Sequence, residues 1–412
     1  SKRRPVMILS SPPAWRRSKK PFYTYFNPDD LEGFKDYVRR IGERYQGKVY
    51  DYMLIGEAYH KTTVGAITAQ EYITMVNATA EVMHAVDPAI RVASDIGSDA
   101  TWSPAVAQGT AGKADYYVVH PYAFLGGAAS GLDDERNFAR TVQVLKAAGA
   151  KTLLANTEGN TYTFMQYCVF PDGYPMTPEE FEKSGNWEKM PQVYQQRGKE
   201  AFVDYVTGAF RVIRGLVLNR AIGCEYMMWW TSPAGAFGSL LFRDNVPSPQ
   251  SVAYANFCGL FDGCSFVKRL DLGAEELKAY AFKRDRDYIV CAFTDGREAP
   301  AYLELSGRGL AVLDLYGNPA PFETFGPVVK LALRPLAPVF VTGVADVPAE
   351  SRPILKIDPV GAVVLPGTTC PLKLVVYNPL GENLRGRVAV RPPASFPVLA
   401  EQTVDVAPRQ TR

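Results

Sequence analysis

The sequence predicts an α/β domain built on a parallel sheet over residues 1–262, followed by all-β structure. Short apolar runs alternate with amphipathic helical patterns up to about residue 262, as in folds whose parallel sheet is covered by helices. From about residue 263 the helical patterns stop, and short alternating runs follow one another between turn signals. A chain of 412 residues has the length of about two to three domains.

Six runs are predicted to be the strands of the parallel sheet. Most are almost continuously apolar, which is typical of strands buried on both faces. They are residues 5–10, 50–56, 91–95, 115–121, 152–157 and 221–230. These residues are compatible with an α/β barrel and with a doubly wound sheet. No GxGxxG or GKS/T motif follows any run, which disfavours the nucleotide-binding folds.

Amphipathic helices are predicted between these strands. In the first, apolar residues recur at three- and four-residue steps from Leu31 to Tyr45, and Asn27 with Pro28 is expected to form its cap and first turn. The predicted helices cover residues 28–46, about 70–86, about 133–148 and about 192–219.

Two β modules are predicted after the α/β domain, over residues 263–347 and 348–412. The first is expected to be a sandwich with strands at 279–283, 287–294, 301–306, 310–315, 328–333 and 338–342. The second resembles the opening strands of an immunoglobulin-like domain, with strands at 353–358, 361–365, 371–377 and 385–391. It is shorter than the roughly 100 residues of such a domain, so we expect it to be incomplete.

Composition argues against several classes of function. Lys and Arg number 45 against 43 Asp and Glu, and the resulting charge of +2 suggests neither a nucleic-acid groove nor a polybasic membrane patch. No apolar run approaches the ~18 residues of a membrane span. Three histidines and six scattered cysteines without a CxxC argue against a metal site, and we expect no cofactor. The 23 Tyr, 21 Phe and 5 Trp suit carbohydrate-binding platforms and a tyrosine-rich core equally well.

Two glutamates follow apolar runs of the predicted sheet. Glu57 comes after the run 50–56, and Glu158 comes after the run 152–157. Barrel enzymes place their catalytic groups at this end of the strands, and an unpaired buried carboxylate is costly, so both side chains are expected to face a cleft. Two carboxylates about 5–5.5 Å apart suit the cleavage of glycosides by double displacement. Position alone supports capping or salt-bridging glutamates equally well.

The chain resembles the glycoside hydrolases of clan A in several stretches that occur in the same order. In that clan a helix ending in an Arg-Tyr pair precedes strand four, which carries the acid/base glutamate; the similar stretch here is DLEGFKDYVRRIGERYQGKVYDYMLIGEAYHK. The strand-six segment with its His-x-Tyr is similar to DYYVVHPYAF, and the strand-seven segment with the nucleophile is similar to KTLLANTEGNTY. Strand eight and the final helix resemble CEYMMWWTSP and GSLLFRDNVPSPQSVAYANF.

Two further stretches extend this resemblance. SSPPAW, after the first predicted strand, resembles strand three of the family 39-like members, the relatives of β-xylosidase and α-iduronidase. DLYGNPAPF and LRPLAPVFVTG resemble the small β domain that commonly follows such barrels. The order and spacing agree over about 260 residues.

The resemblance implies a (β/α)8 barrel, also called a TIM barrel, that hydrolyses O-glycosidic bonds of a poly- or oligosaccharide with retention of configuration. Glu57 would be the acid/base and Glu158 the nucleophile. Tyr122 would donate a hydrogen bond to the carboxylate of the nucleophile. Trp229 would form the floor of the sugar subsite, with Trp230 as the alternative.

Further residues are weaker candidates for substrate contact. His120 would line the same wall, although a packing histidine is an equal alternative, and Trp15 and His60 would lie beside the cleft. The aromatic-rich insert 163–191 is expected to form a subsite wall. Glu225 is expected to be a buried, paired, structural carboxylate.

Two departures from the clan pattern bear on function and architecture. Gly56 stands where most members have an asparagine that contacts the 2-hydroxyl of the sugar, which keeps a catalytically silent carbohydrate-binding barrel as the alternative function. The first predicted strand resembles strand three, so the first two βα units are expected in a longer chain that completes the barrel. Without them a six-stranded barrel would have two open edges, an aggregation hazard. The resemblance also implies an extracellular or periplasmic location.

Overall fold

The computed structural model describes residues 5–9, 30–54, 56, 58, 67–97, 101–119, 131–152, 154–159, 178–185, 205–229, 246–358, 373–388 and 401–411. The chain divides into two compact units. The first consists of Ser1–Pro171, Pro175–Ala201 and Leu218–Ser239, and the second of Asp172–Tyr174, Phe202–Val217 and Leu240–Arg412. The domain boundaries after residues 262 and 347 stay predictions.

The first unit contains a sheet of six parallel strands that follow one another in chain order. Each of the six predicted runs overlaps a strand, and the prediction for 91–95 matches the observed bounds. The strands are β1 Val6–Leu9, β2 Asp51–Leu54, β3 Arg91–Asp95, β4 Tyr116–Val119, β5 Leu154–Gly159 and β6 Cys224–Trp229. The mixed α/β class is therefore confirmed. Among the described residues β1 and β6 are the edges of the sheet, and no closed barrel is present.

Helices connect these strands, and their first residues are fixed by local hydrogen bonds. In α1 the side chain of Asp30 accepts a hydrogen bond from Gly33 N at 3.0 Å, so the predicted cap at Asn27 and Pro28 is wrong. In α2 the side chains of Thr68 and Glu71 cap each other's backbone amides. The helices are α1 Leu31–Tyr45, α2 Ala69–Val86, α3 Trp102–Thr110, α4 Gly131–Ala147, α5 Pro178–Lys183 and α6 Tyr205–Ala221.

The predicted and observed helices agree only in part. Helices α3 and α5 were not predicted, whereas α4 agrees with its predicted range to within two residues. Helix α6 is described from Tyr205 onward, and residues 192–204 of its predicted range lie outside the described residues.

The six strands share one buried face of the parallel sheet, and the contact between Arg91 and Glu225 indicates that this face is concave. That face, called here the concave face, is defined by a buried cluster against which Val6 and Tyr226 pack; its members are Met53, Ala93, Tyr116, Val118 and Ala155. Arg91 of β3 contacts Glu225 of β6 at 2.6 Å, although two strands lie between them. Neighbouring strands are about 4.8 Å apart, so these backbones would be roughly 14 Å apart in a flat sheet. Contact between their side chains is favoured by curvature toward this face.

The second unit contains helix α7, Pro249–Phe261, and two antiparallel sheets. The five-stranded sheet has the order β11-β14-β9-β8-β7, and the three-stranded sheet has the order β10-β13-β12. The strands are β7 Ser265–Leu270, β8 Leu277–Arg284, β9 Asp287–Thr294, β10 Ala299–Glu304, β11 Ser306–Asp314, β12 Phe322–Phe325, β13 Val328–Leu333 and β14 Val339–Asp346. Each of the six predicted runs overlaps a strand, whereas β7 and β12 were not predicted.

Successive side chains of β8 point to opposite faces of the five-stranded sheet, and both faces are buried. Ala279 and Ala281 belong to an apolar cluster that includes residues of both sheets, among them Leu303 and Leu331 of the smaller sheet. The other face is aromatic: Phe282 packs edge-on against Phe261 of α7 with ring centroids 5.0 Å apart. Helix α6 also covers this unit, since Arg214 forms a buried ion pair with Asp295 at 3.0 Å. Both faces of the larger sheet are therefore covered.

The last part of the second unit consists of two small antiparallel pairs, β15 Leu355–Asp358 with β16 Lys373–Val376, and β17 Leu384–Val388 with β18 Gln402–Val406. Asn378 is fully buried, and its side-chain amide donates to the carbonyls of Glu382 and Val406. The ion pair between Arg409 and Glu304 connects this region to β10. The predicted strand at 361–365 lies outside the described residues. No helix in the described ranges is long and apolar enough to cross a membrane.

Candidate active site

The candidate site is the carboxyl edge of the parallel sheet, where both predicted catalytic glutamates occur in the sequence. Glu158 and Trp229 lie on the described backbone of β5 and β6. The other predicted site residues lie outside the described residues; these are Glu57, Tyr122, His120, Trp230, Trp15 and His60. The roles of all eight stay predictions.

Strand β2 precedes Glu57 in the sequence. All four residues of β2 are buried, as expected for a central parallel strand, and the strand ends at Leu54, three positions before Glu57. On either side of Glu57 the structure describes Gly56 as partly exposed and Ala58 as buried. The described strand thus reaches the carboxyl edge of the sheet at Leu54, and the position of Glu57 stays a prediction.

The pairing of β5 with β6 is irregular where Glu158 lies. Asn156 is opposite Met227 and Gly159 is opposite Trp229, so the chain advances by three residues along β5 but by only two along β6. The extra residue is at position 157 or 158, and it shifts the alternation of the two faces along β5 by one residue. Such bulges occur at barrel rims and redirect side chains near active sites. The backbone at Glu158 therefore departs from regular strand geometry at the carboxyl edge.

The concave face below this edge is organised in layers, because residues in register on parallel strands point to the same face. Ala93 is in register with Tyr116 and with Met53. The next layer toward the carboxyl edge contains Asp95 and Val118, which are also in register.

The amino end of this face carries an ionic cluster. Arg91 contacts Asp51 and Glu225 at 2.6 Å each, and its guanidinium lies over the ring of Tyr116 at 5.1 Å. Burial lowers the pKa of Arg91, but hydrogen bonds and charge attraction from the two carboxylates outweigh it, so the pKa is raised above its ordinary value. The hydroxyl of Tyr226 donates to that of Tyr116 at 2.9 Å, and burial raises the pKa of both phenols, so they stay neutral in this cluster.

The prediction for Glu225 is correct in one part and wrong in the other. The side chain is paired with Arg91, as expected, but it is 33% exposed rather than buried. It lies where β6 carries an extra residue between Cys224 and Met227, an irregularity that shifts the alternation of this edge strand. The cluster is a structural feature at the end of the strands opposite to the candidate site.

Sequence reasoning missed Asp95, which ends β3. Its side chain is buried, its backbone amide donates to the hydroxyl of Tyr72 at 2.8 Å, and Gly97 N donates to its Oδ1 at 2.8 Å. Burial and the negative charge of Asp95 raise the pKa of Tyr72. The signal in the sequence was an acidic residue at the end of an apolar run, the same signal that singled out Glu57 and Glu158.

Comparison with known proteins agrees with this description of the sheet. Neither a family model nor a curated protein matches the sequence. A family 39 glycoside hydrolase from Bacteroides cellulosilyticus WH2 matches with a TM-score of 0.55 and 15% identity, over 79% of this chain and 64% of that protein. The chain shares the fold of clan A glycoside hydrolases. It spans somewhat less than two thirds of the length of this first relative.

Two further solved structures support the same fold. A monomeric β-xylosidase from Caulobacter crescentus CB15 matches with a TM-score of 0.53 and 14% identity, over 82% of this chain and 80% of that one. A family 30 endoxylanase from Clostridium papyrosolvens C71 matches with a TM-score of 0.52 and 11% identity, over 81% of this chain and 78% of that one. The resemblance noted in the sequence is thus confirmed at the level of the fold.

Proposed function

We propose that this chain carries the catalytic domain of a retaining glycoside hydrolase that cleaves O-glycosidic bonds of a poly- or oligosaccharide. The observation that carries the proposal is the position of Glu158 at the carboxyl edge of a parallel sheet whose fold matches solved glycoside hydrolases. In the sequence, Glu57 follows the last residue of β2, a strand of the same sheet, by three positions. Barrel enzymes keep their catalytic groups at this edge.

The two glutamates take different roles in this proposal. Glu158 is ionised in the free enzyme and attacks the anomeric carbon, giving a covalent glycosyl-enzyme. Glu57 holds a proton near neutral pH, because a nearby negative charge and an apolar strand end favour its neutral form. It protonates the leaving oxygen and then, as a base, activates the water that hydrolyses the intermediate.

The remaining candidates bind and orient the sugar in this proposal. Tyr122 donates to the carboxylate of Glu158 and helps to keep it ionised. Trp229 stacks on the apolar face of a sugar ring, with Trp230 as the alternative. His120, Trp15 and His60 are further candidates for contact with substrate, and they follow strands β4, β1 and β2 in the sequence.

The complete catalytic domain in this proposal is an eight-stranded barrel. Curvature toward the concave face supports closure, and the edge strand β1 exposes 45% of Ile8, an apolar residue suited to a covered sheet. Two further parallel strands, supplied by the rest of a longer chain, would occupy the gap between β1 and β6 and remove both open edges. The two antiparallel sheets that share one apolar cluster form a β-sandwich, and residues 348–412 form part of an immunoglobulin-like module.

The solved neighbours suggest where a substrate search should begin. Two of them are named as a β-xylosidase and an endoxylanase, so we propose xylosides and xylan as the first substrates to test. We also propose the extracellular or periplasmic location that the resemblance in the sequence implies.

The test begins with a panel of aryl glycosides and polysaccharides and continues with variants of the two glutamates. Glu57→Ala should still form the intermediate from substrates with good leaving groups, and added azide should then give a glycosyl azide of retained configuration. Glu158→Ala should be inactive, and azide should give the inverted product. Glu43→Ala, which alters an exposed glutamate of α1, is the matched control and should behave as wild type. Near wild-type activity of both catalytic variants would refute the roles assigned.

A catalytically silent carbohydrate-binding barrel is the second candidate function, and Gly56 is the observation that favours it. An asparagine at this position would contact the 2-hydroxyl of the sugar in most members of the clan. Isothermal titration with xylo-oligosaccharides distinguishes the two functions: binding without turnover of any glycoside supports the silent barrel.

A further inference from the structure

The three-stranded sheet of the second unit has one face that points away from the apolar cluster. Alternate residues of β10 and β13, among them Leu303 and Leu331, belong to that cluster. Because side chains alternate along a strand, the residues between them point to the opposite side, called here the outer face. The outer face includes Tyr302 and Glu304 of β10, Val328 and Lys330 of β13, and Glu323 and Phe325 of β12. The mechanism proposed above gives this face no role.

Two aromatic rings lie at the sides of the outer face. Phe325 is on the edge strand β12 and is 50% exposed, the most exposed large apolar side chain among the described residues. Tyr302 is on the other edge strand, β10, and is partly exposed. Two strand spacings of about 4.8 Å and two residues of rise at about 3.3 Å each put these positions roughly 12 Å apart. This arrangement suits a ligand that extends across all the strands of the sheet.

An ion pair lies between the two rings. Lys330 donates a hydrogen bond to Glu323 at 2.8 Å, and both residues are in register with Tyr302. This hydrogen bond raises the pKa of Lys330, so the ammonium group stays charged. The side chains of Lys330 and Glu323 are 33% and 58% exposed. An ammonium group has several donors and a carboxylate has several acceptor positions, so both groups can also bind the hydroxyl groups of a ligand.

The charges of the outer face balance one another. Lys330 is paired with Glu323, and Arg409 is paired with Glu304. Nucleic acids and acidic polymers bind to an excess of positive charge, which these pairs do not provide. The core of a protein interface is depleted of charged residues, and a protein partner would have to remove the central ion pair from water. A neutral ligand with hydroxyl groups and flat apolar C–H faces complements this face better.

We propose that the outer face of the three-stranded sheet is a binding site for a neutral, extended polysaccharide chain. Phe325 and Tyr302 stack on the C–H faces of two sugar rings, and Lys330 and Glu323 bind hydroxyl groups between them. The inference rests on the proposed function for the choice of ligand, because a hydrolase that holds its polymer at a second site keeps it at a high effective concentration.

The test is affinity electrophoresis of the complete chain in native gels that contain soluble arabinoxylan, galactomannan or mixed-linkage β-glucan. At least one of these neutral polysaccharides should retard the wild-type chain, whereas acidic polygalacturonate should not. Phe325→Ala should weaken binding by roughly tenfold, because it removes the exposed ring that stacks on the sugar. Since Phe325 is half exposed, this variant is expected to fold, and thermal unfolding verifies that it does.

Two further substitutions of Phe325 distinguish stacking from general apolar contact. Phe325→Tyr keeps the planar ring and should be retarded as wild type. Phe325→Leu keeps an apolar side chain without the ring and should bind as weakly as Phe325→Ala. Val267→Ala, which alters an exposed apolar residue of β7 in the other sheet, is the control and should be retarded as wild type.

The outcomes separate this inference from the proposed function. Equal retardation of wild type and Phe325→Ala, full retardation of Phe325→Leu, or no retardation by any neutral polysaccharide would overturn the site. A wild-type dimer in sedimentation velocity that Phe325→Ala dissociates would assign the face to a second copy of the chain and would also overturn it. Turnover of aryl glycosides should be equal in wild type and all these variants. Its absence in the wild type would count against the proposed function, while the gels still decide the binding site.

Discussion

Replacement of Arg91 by methionine should destabilise the first unit strongly, because it removes the cation from a buried carboxylate. Asp51 has no exposed side-chain surface, and Arg91 contacts it at 2.6 Å. Methionine retains much of the apolar stem of arginine, so the substitution removes mainly the charge and its hydrogen bonds.

The loss of stability in Arg91→Met can be estimated from the burial of its two carboxylate partners, Asp51 and Glu225. Breaking a buried ion pair by removing one partner costs about 3–5 kcal/mol, since the remaining charge is left without compensation. Loss of the guanidinium over the ring of Tyr116 adds about 0.5–2 kcal/mol. The contact with Glu225 adds little, because an exposed pair is worth about 0–1 kcal/mol and a third of that side chain is exposed.

The assay is urea-induced unfolding at pH 7, followed by circular dichroism, for three variants. Arg91→Met should lose about 3–5 kcal/mol, whereas Glu225→Gln, the control on the exposed side of the same arginine, should lose no more than about 1 kcal/mol. The double variant Asp51→Asn/Arg91→Met should be more stable than Arg91→Met, because it no longer buries a carboxylate that has lost its guanidinium partner. A loss below 1 kcal/mol in Arg91→Met, or a double variant no more stable than it, would refute this reasoning.

Two further predictions concern stability. Burial raises the pKa of Asp115, but hydrogen bonds from Val92 N, His84 and Lys151 outweigh this effect and hold the pKa below its ordinary value of 3.8. Ionised Asp115 therefore stabilises the folded state above pH 3.8, and this stabilisation is lost as the pH falls below that value. Asp115→Asn should therefore lower the free energy of unfolding by about 1–3 kcal/mol at pH 7. In urea titrations the free energy of unfolding of this variant should also fall less steeply below pH 3.8 than that of the wild type, and an equal fall in both proteins would contradict this. Gly273→Ala should destabilise the second unit more than Gly309→Ala by about 1–3 kcal/mol, because both have positive φ but only at Gly273 would a Cβ lie 2.3 Å from Leu355 O. Equal thermal unfolding midpoints of the two variants would show that this close approach has no energetic effect.

The strands of the parallel sheet could be predicted because each is an apolar run of adjacent residues. The prediction failed where a few residues are compatible with more than one helix start or with more than one type of secondary structure. Helix α1 could begin at several adjacent capping residues, and the hydrogen bond from Gly33 to Asp30 decides between them. Helix α3 is nine residues long with Pro104 in its first turn, too short for a clear periodicity. Strand β7 exposes every second residue and carries Lys268 and Arg269, which gave it a polar appearance.

The candidate site was predictable only in part for a different reason. The end of a strand can be read from the sequence, so Glu158 was placed at the correct edge. The pairing of Arg91 with Glu225 joins residues 134 positions apart and depends on the curvature of the sheet, which no strand pattern encodes. Asp95 was overlooked because its strand has no counterpart among the stretches that resembled catalytic segments.

Trapping of the covalent intermediate tests the central claim most directly. The protein is incubated with a 2-deoxy-2-fluoro glycosyl fluoride of the sugar it hydrolyses, and the labelled peptide is identified by mass spectrometry. The fluorine at C2 slows hydrolysis of the intermediate, so the glycosyl group should accumulate as an ester of Glu158. Glu158→Ala should remain unlabelled, and Glu43→Ala should be labelled as wild type. A label on another residue, or steady turnover whose first product has inverted configuration, would contradict the account.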